Sequence, residues 1–189
     1  MSNARSNVVL TGFMATGKST VGRLLAARSG RDFVDTDAVI EERHGSIPRI
    51  FAEHGEAEFR RLERELAVEL ASRRGLVIAT GGRMLVDPVN AEVLAASGVV
   101  VCLTASPETV IERLTADGVA SRPMLTGADL PGRIRQLLAE REGAYRRFVQ
   151  VSTEDRSPIE VCDAVLDVVP GDPDLRSSDP HRDRTAPLG

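Results

Sequence analysis

The sequence predicts an α/β protein: a parallel sheet with helices over both faces. Three observations carry that expectation. Short apolar runs alternate with stretches of helical periodicity from about residue 7 to 168, the order that successive βαβ units produce. The run 99–103 is apolar without alternation, as in a strand buried on both faces. Residues 12–19 read Gly-Phe-Met-Ala-Thr-Gly-Lys-Ser, the G-x-x-x-x-G-K-[ST] phosphate loop, in its required place between a strand and a helix.

The first strand is expected at 7–11, an apolar run that Gly12 stops. A helix follows over 18–28, with Val21, Leu24, Leu25 and Arg28 on one side. Residues 32–34 form a second strand leading into Asp35-Thr36-Asp37, and 38–44 reads as a helix with Asp37 as its N-cap. A further helical turn is expected at 47–53. A long helix over 56–73 carries Phe59, Leu62, Leu66 and Leu70 at i, i+3, i+7 and i+11. The third strand, 76–79, stops at Gly81-Gly82. The helix at 89–96 is ended by Gly98, the fourth strand is 99–103, and Pro107 opens a helix that reaches 114. Residues 115–129 are polar and irregular, a candidate mobile loop. A helix over 130–148, a short strand at 149–151 and a helix over 159–168 complete the pattern. From 170 onward the chain holds four prolines, many Asp and Arg, and little apolar content, so a disordered tail is expected after a single domain over 1–169.

Composition narrows the function classes. The 189 residues carry a net charge of −4, with 3% aromatic residues and no tryptophan. A nucleic-acid partner calls for a basic face or stacking aromatics, and neither is favoured here. No apolar run reaches the ~18–20 residues of a membrane span, and 8–10 is too short for a signal-peptide core. A cytoplasmic monomer without membrane contact is expected. Cys102 and Cys162 lack the C-x₂-C spacing of a metal site and read as small core residues of a reducing compartment.

The phosphate loop has a chemical reason at each position. Gly12 and Gly17 allow backbone conformations that aim successive N–H groups at phosphate oxygens. The helix N-terminus beyond adds positive potential. Lys18 offers a compact cation to the β- and γ-phosphates, and Ser19 Oγ a ligand to Mg²⁺. Lys18 is the only lysine among 24 basic residues, and an arginine fork would not enter so tight a loop. The ATP-binding set expected from the loop is Gly12, Ala15, Thr16, Gly17, Lys18, Ser19 and Thr20.

Asp35 and Asp37 follow the second strand, at the strand ends where open parallel sheets bind ligands. One carboxylate can hold Mg²⁺ through water while the other orients an acceptor hydroxyl and takes its proton. Without the phosphate loop the same pair would read as a solvated strand end. Arg60-Arg61 and Arg146-Arg147 lie on two different helices, each alone a solvated face. Converging, they would make a fork-shaped site for an anionic substrate, ideally a carboxylate. Arg122, in the irregular loop, can close over a transferring phosphoryl group.

Together these pieces resemble the shikimate kinase family. The match runs through Gly12-Phe-Met-x-x-Gly17-Lys18-Ser19-Thr20, Asp35-Thr-Asp37-x-x-Ile40-Glu41, Ile50-Phe51 and Gly55-Glu56-x-x-Phe59-Arg60-x-x-Glu63. It continues through Ala79-Thr80-Gly81-Gly82, Arg122-Pro123-Met124-Leu125 and Tyr145-Arg146. The resemblance implies a three-layer, nucleoside-monophosphate-kinase-like P-loop fold. Its five-stranded parallel sheet would have the order 2-3-1-4-5, with a mobile lid at about 115–129. It also implies transfer of the ATP γ-phosphate to the 3-hydroxyl of shikimate. By motif, Asp37 would contact the acceptor hydroxyl, with Lys18 and Arg122 completing the catalytic set. Arg60 and Arg146 would hold the substrate carboxylate beside Gly81 and Gly82, the latter through its N–H. Ser19 and Asp35 would serve Mg²⁺, and Arg113 and Arg156 would flank adenine.

One position departs from the family pattern. Where the family typically has three consecutive glycines, this chain has Gly81-Gly82-Arg83. If that position needs a positive φ, arginine costs roughly 1 kcal/mol or more. Otherwise its side chain can crowd shikimate out, reinforce carboxylate binding, select another acceptor, or turn to solvent. Two other readings stay open on the residues: a kinase of another anionic polyol, such as gluconate or a cyclitol acid, and a catalytically silent nucleotide-binding protein.

Overall fold

A computed structural model describes residues 6–116 and 129–169. Arg122, most of the loop expected at 115–129 and the tail expected from 170 lie outside the described residues. Five strands, β1 (Asn7–Gly12), β2 (Asp32–Asp35), β3 (Leu76–Ala79), β4 (Gly98–Thr104) and β5 (Val149–Ser152), form one sheet in the order β2-β3-β1-β4-β5. All four pairings are parallel. The helices among the described residues are α1 (Lys18–Ser29), α2 (Thr36–His44), α3 (Ile47–Ser72), α4 (Pro88–Ser97), α5 (Pro107–Ala116), α6 (Leu130–Tyr145) and α7 (Pro158–Val168). No helix among them is long and apolar enough to cross a membrane.

β1 is central because every residue of it is buried. Adjacent strand residues face opposite ways, so Val9 joins the core under α3 and α4 while Val8 and Leu10 join the core under α1 and α7. A third apolar cluster, with Phe13, Cys102, Val110, Leu114, Ile134 and Tyr145, seats α5 and α6. Asn7, buried at the start of β1, donates from Nδ2 to Arg73 O at 3.0 Å and accepts from Leu76 N through Oδ1 at 3.0 Å, which fixes where β3 begins. Cys102 and Cys162 are free and buried.

Several elements differ from the sequence reading. In α1 the buried face is Val21, Gly22, Leu25, Ala26 and Ser29, without Arg28. Arg28 instead pairs with Asp163 of α7 on the outside. The stripe passes through Gly22 because a side chain there would lie 2.5 Å from Phe33. The N-cap of α2 is Asp35 rather than Asp37: its Oδ1 accepts from Asp37 N at 3.2 Å and Ala38 N at 3.4 Å, so the helix starts at Thr36. The expected segments 47–53 and 56–73 hold as two helical stretches of α3, separated at Gly55, where φ is 80° and ψ 173°. α6 ends at Tyr145, short of 148, as the chain turns with Phe148 N donating to Tyr145 O at 3.1 Å.

Candidate active site

The carboxyl ends of β1, β2 and β3 deliver Gly12, Asp35 and Ala79 to one edge of the sheet. A Cβ at Gly12 would sit 2.2 Å from Leu103 O, and φ there is 131°, so only glycine lets β1 turn into the phosphate loop this close to β4. Thr16 Oγ1 donates to Phe13 O at 2.8 Å and holds the loop's far side. Lys18 Nζ donates to Gly12 O at 3.0 Å and Phe13 O at 2.8 Å, so the ammonium lies over its own loop. Ala15, Gly17, Lys18, Ser19 and Thr20 line a cavity of about 260 Å³ together with Asp35 and Asp37. Ser19 Oγ donates to Asp35 Oδ2 at 2.6 Å. Asp35 therefore caps α2 with one oxygen and holds the loop serine with the other.

A second cavity of about 540 Å³ adjoins the first and shares Met14, Asp37 and Gly82 with it. Its polar side carries Asp37, Arg60, Glu63 and Arg141, and its apolar side Met14, Phe51 and Phe59. Asp37 stands at the junction. Burial pushes its carboxyl above the ordinary carboxylate range, and the neighbouring Asp35 adds to that shift. Gly81 makes room for it, since a Cβ at 81 would come within 2.4 Å of Asp37 Oδ1. The N–H of Gly81 is bound to Thr36 Oγ1 at 2.8 Å, so Gly81 contributes space rather than a donor.

Arg60 reaches the cavity from α3. Its Nη1 donates to Glu63 Oε2 at 2.6 Å, and its Nε and Nη2 donate to Glu56 Oε1 at 3.1 and 3.0 Å. Burial, with Asp37 second among the groups that raise it, pushes the Glu63 carboxyl up despite the guanidinium beside it. Arg61, the other member of the pair, points outward to Glu58 at 2.7 Å.

The second arginine of the cavity is Arg141, not Arg146. Arg141 is 4% exposed, lies over the Phe13 ring at 5.1 Å and donates to Gly82 O at 3.3 Å. The Tyr145 hydroxyl donates to the same carbonyl, and burial pushes that phenol up to about 12. The Arg146 side chain is 70% exposed and ion-paired with Glu142 at 2.6 Å. It borders a different cavity, of about 450 Å³, between α6 and the ends of β4 and β5. The reason is helical phase. Ile134, Leu137, Arg141 and Tyr145 form the buried stripe of α6, and Arg146 lies one residue, about 100°, off it. That stripe was the available signal: an arginine spaced with apolar residues points inward. Glu56 and Glu63, one turn either side of Arg60, follow from i, i+4 and i, i+3 spacing in the same way.

At Arg83 φ is −120° and ψ −6°, so the position needs no positive φ and arginine is unstrained there. Its side chain, 45% exposed, lines the second cavity and pairs with Glu56 at 2.6 Å. Arg113 donates to Ala15 O at 3.1 Å and to Thr153 O at 2.8 Å, joining the phosphate loop to the end of β5. Arg156 reaches Ser152 O at 3.5 Å at that same end.

The geometry is a phosphate cradle opening onto a cavity with the buried Arg141, the half-buried Arg60 and a carboxylate at the junction. It suits a nucleotide on one side and a small anionic acceptor on the other. A family model described as shikimate kinase matches residues 14–170. The shikimate kinase of Pelotomaculum thermopropionicum is 46% identical over 140 residues, 74% of this chain and 80% of that one. The shikimate kinase of Symbiobacterium thermophilum is 42% identical over 164 residues, 85% of this chain and 94% of that one. The solved structure of the Acinetobacter baumannii shikimate kinase, in complex with shikimate, matches with a TM-score of 0.80 at 36% identity, over 86% of this chain and 91% of that one.

Proposed function

The chain belongs to the shikimate kinase family, and from that premise we propose that it transfers the γ-phosphoryl group of ATP to the 3-hydroxyl of shikimate, releasing ADP and shikimate 3-phosphate. The observation that carries the reading is the junction at Asp37, shared by the phosphate-loop cavity and the arginine-lined cavity. The family match favours neither another polyol acceptor nor a silent nucleotide binder.

Each residue then has a task. The loop N–H groups and Lys18 hold the phosphates, and Lys18 turns from Gly12 O and Phe13 O to do so. Ser19 and Asp35, hard oxygen donors 2.6 Å apart beside the loop, would hold Mg²⁺, which would supply positive charge against the phosphates. Asp37 orients the acceptor hydroxyl and accepts its proton, and the raised proton affinity that burial gives it favours that work. Arg60 and Arg141 take the substrate carboxylate, and Met14, Phe51 and Phe59 face its ring. Arg113 and Arg156 flank the base. Arg122 is assigned, on its motif, to neutralising the charge that spreads over the transferring group. We place the enzyme in the cytoplasm, as a monomer acting on small molecules.

The test is ADP release from Mg²⁺-ATP with and without shikimate, with the product identified. Shikimate-dependent release and a 3-phosphate product are expected. ATP binding with no shikimate-dependent turnover would overturn the acceptor assignment.

A further inference from the structure

Arg60 is already neutralised by its own chain. Glu63 takes Nη1 at 2.6 Å, and Glu56 Oε1 takes both Nε and Nη2, at 3.1 and 3.0 Å. A substrate carboxylate that is to meet the guanidinium edge must therefore displace one of the two. Glu63 is only 2% exposed and has no water to move to. Glu56 is 49% exposed, so it is the exchangeable one. Its Oε1 accepts a third contact, and that one is the shortest of the three: Arg83 Nη1 at 2.6 Å.

We propose that Arg83 is a positioning residue for the acceptor: by holding Glu56, it gives that carboxylate a partner when the substrate takes its place on Arg60. Asp37, Glu41 and Glu63 line the cavity with Arg60, Arg83 and Arg141, and Glu56, beside that lining, bridges Arg60 and Arg83. Without Arg83 these carboxylates face only Arg60 and Arg141 before an anionic substrate enters. Glycine at 83 would leave Glu56 with Arg60 as its sole partner among the described residues and set it in direct competition with the substrate. The pair also joins two separate walls. Glu56 is the first residue beyond the Gly55 break in α3, and Arg83 follows the Gly81-Gly82 turn after β3. The inference rests on the reading of Arg60 as carboxylate anchor.

A double-mutant cycle on the full chain tests it, with shikimate and Mg²⁺-ATP as substrates and thermal midpoints recorded for every variant. Arg60→Ala should raise the shikimate KM. An unchanged KM there would overturn the anchor reading and this inference with it. Arg83→Gly should raise the shikimate KM about two- to fivefold, the range of an exposed ion pair, with kcat and the KM for ATP unchanged. The rise should shrink at high ionic strength, as screening of an exposed pair requires. In a Glu56→Gln background, Arg83→Gly should add nothing. An unaltered KM in Arg83→Gly overturns the inference alone. So does a rise that persists with Glu56→Gln, since Arg83 would then touch the carboxylate directly.

Discussion

Asp37 shows what a functional residue costs the fold. It is desolvated, and Asp35 and Glu41 raise its carboxyl further while Lys18 and Arg60 compensate only in part. Because its folded pKa is raised, the folded chain binds that proton more tightly than the unfolded one. The stability contribution is favourable below the unfolded value and is lost as pH rises through the folded value. Asp37→Asn, a neutral isostere, should therefore raise the thermal midpoint at neutral pH. The gap to wild type should close below about pH 4, the ordinary aspartate range, where both side chains are neutral. The same variant should lose about 10²–10⁴ in kcat, because no proton acceptor remains at the hydroxyl. Nucleotide binding should persist. A thermal scan across pH, run beside the coupled assay, checks both halves. The arginines divide just as sharply. Arg141→Ala removes a buried charge-assisted partner and should raise the acceptor KM about 10- to 100-fold. Arg146→Ala, at an exposed i, i+4 pair, should stay within about twofold. At this scale the chemistry is legible in the residue types. The Tyr145-Arg146 motif points to Arg146, whereas the 134–137–141–145 spacing is the one that faces inward and brings Arg141 to the cavity.

At the scale of elements, two glycines make the same point with opposite signs. Gly55 interrupts α3 with φ 80° and ψ 173°, a region essentially reserved for glycine, yet a Cβ there would meet nothing within 4 Å. Gly55→Ala should thus destabilise by backbone strain alone, about 1–3 kcal/mol. Gly143 lies in the regular helix α6, and a Cβ there also meets nothing within 4 Å. Gly143→Ala should stabilise by about 0.4–1 kcal/mol through the unfolded state. Urea unfolding of the two variants measures both. If Gly55→Ala is neutral, the break is a passive feature rather than a required one. Helix existence was readable from periodicity, as Phe59, Leu62, Leu66 and Leu70 all prove buried. Boundaries were less so where side chains compete for a cap: Asp35 and Asp37 are equal candidates in sequence, and only the strand end places Asp35 Oδ1 against the first N–H groups of α2. The break in α3 is legible as the gap between the helical stretches 47–53 and 56–73, where Gly55 leaves helical geometry.

For the whole molecule, the sheet order brings three loops of distant sequence together, and periodicity alone could not have ordered those strands. The order 2-3-1-4-5 was implied by resemblance to a family. Its physical basis is that β1, buried throughout, needs neighbours on both sides, and β3 and β4 supply them. The composition of the chain makes one consequence measurable across the entire surface at once. Arginine supplies every basic side chain but Lys18, so an amine-directed reagent has two targets in these 189 residues: the Lys18 ammonium and the α-amino group. Lys18 contacts Gly12 O and Phe13 O at the phosphate cradle. Limited labelling followed by intact-mass and peptide analysis should yield modification at those two places only. Saturating Mg²⁺-ATP should suppress labelling at Lys18 and leave the terminus as an internal control, because a phosphate-bound ammonium is both shielded and harder to deprotonate. Shikimate alone should protect Lys18 far less, since the acceptor cavity meets the cradle at Asp37 but is not lined by Lys18. Equal labelling of Lys18 with and without nucleotide would remove the lysine from phosphate contact.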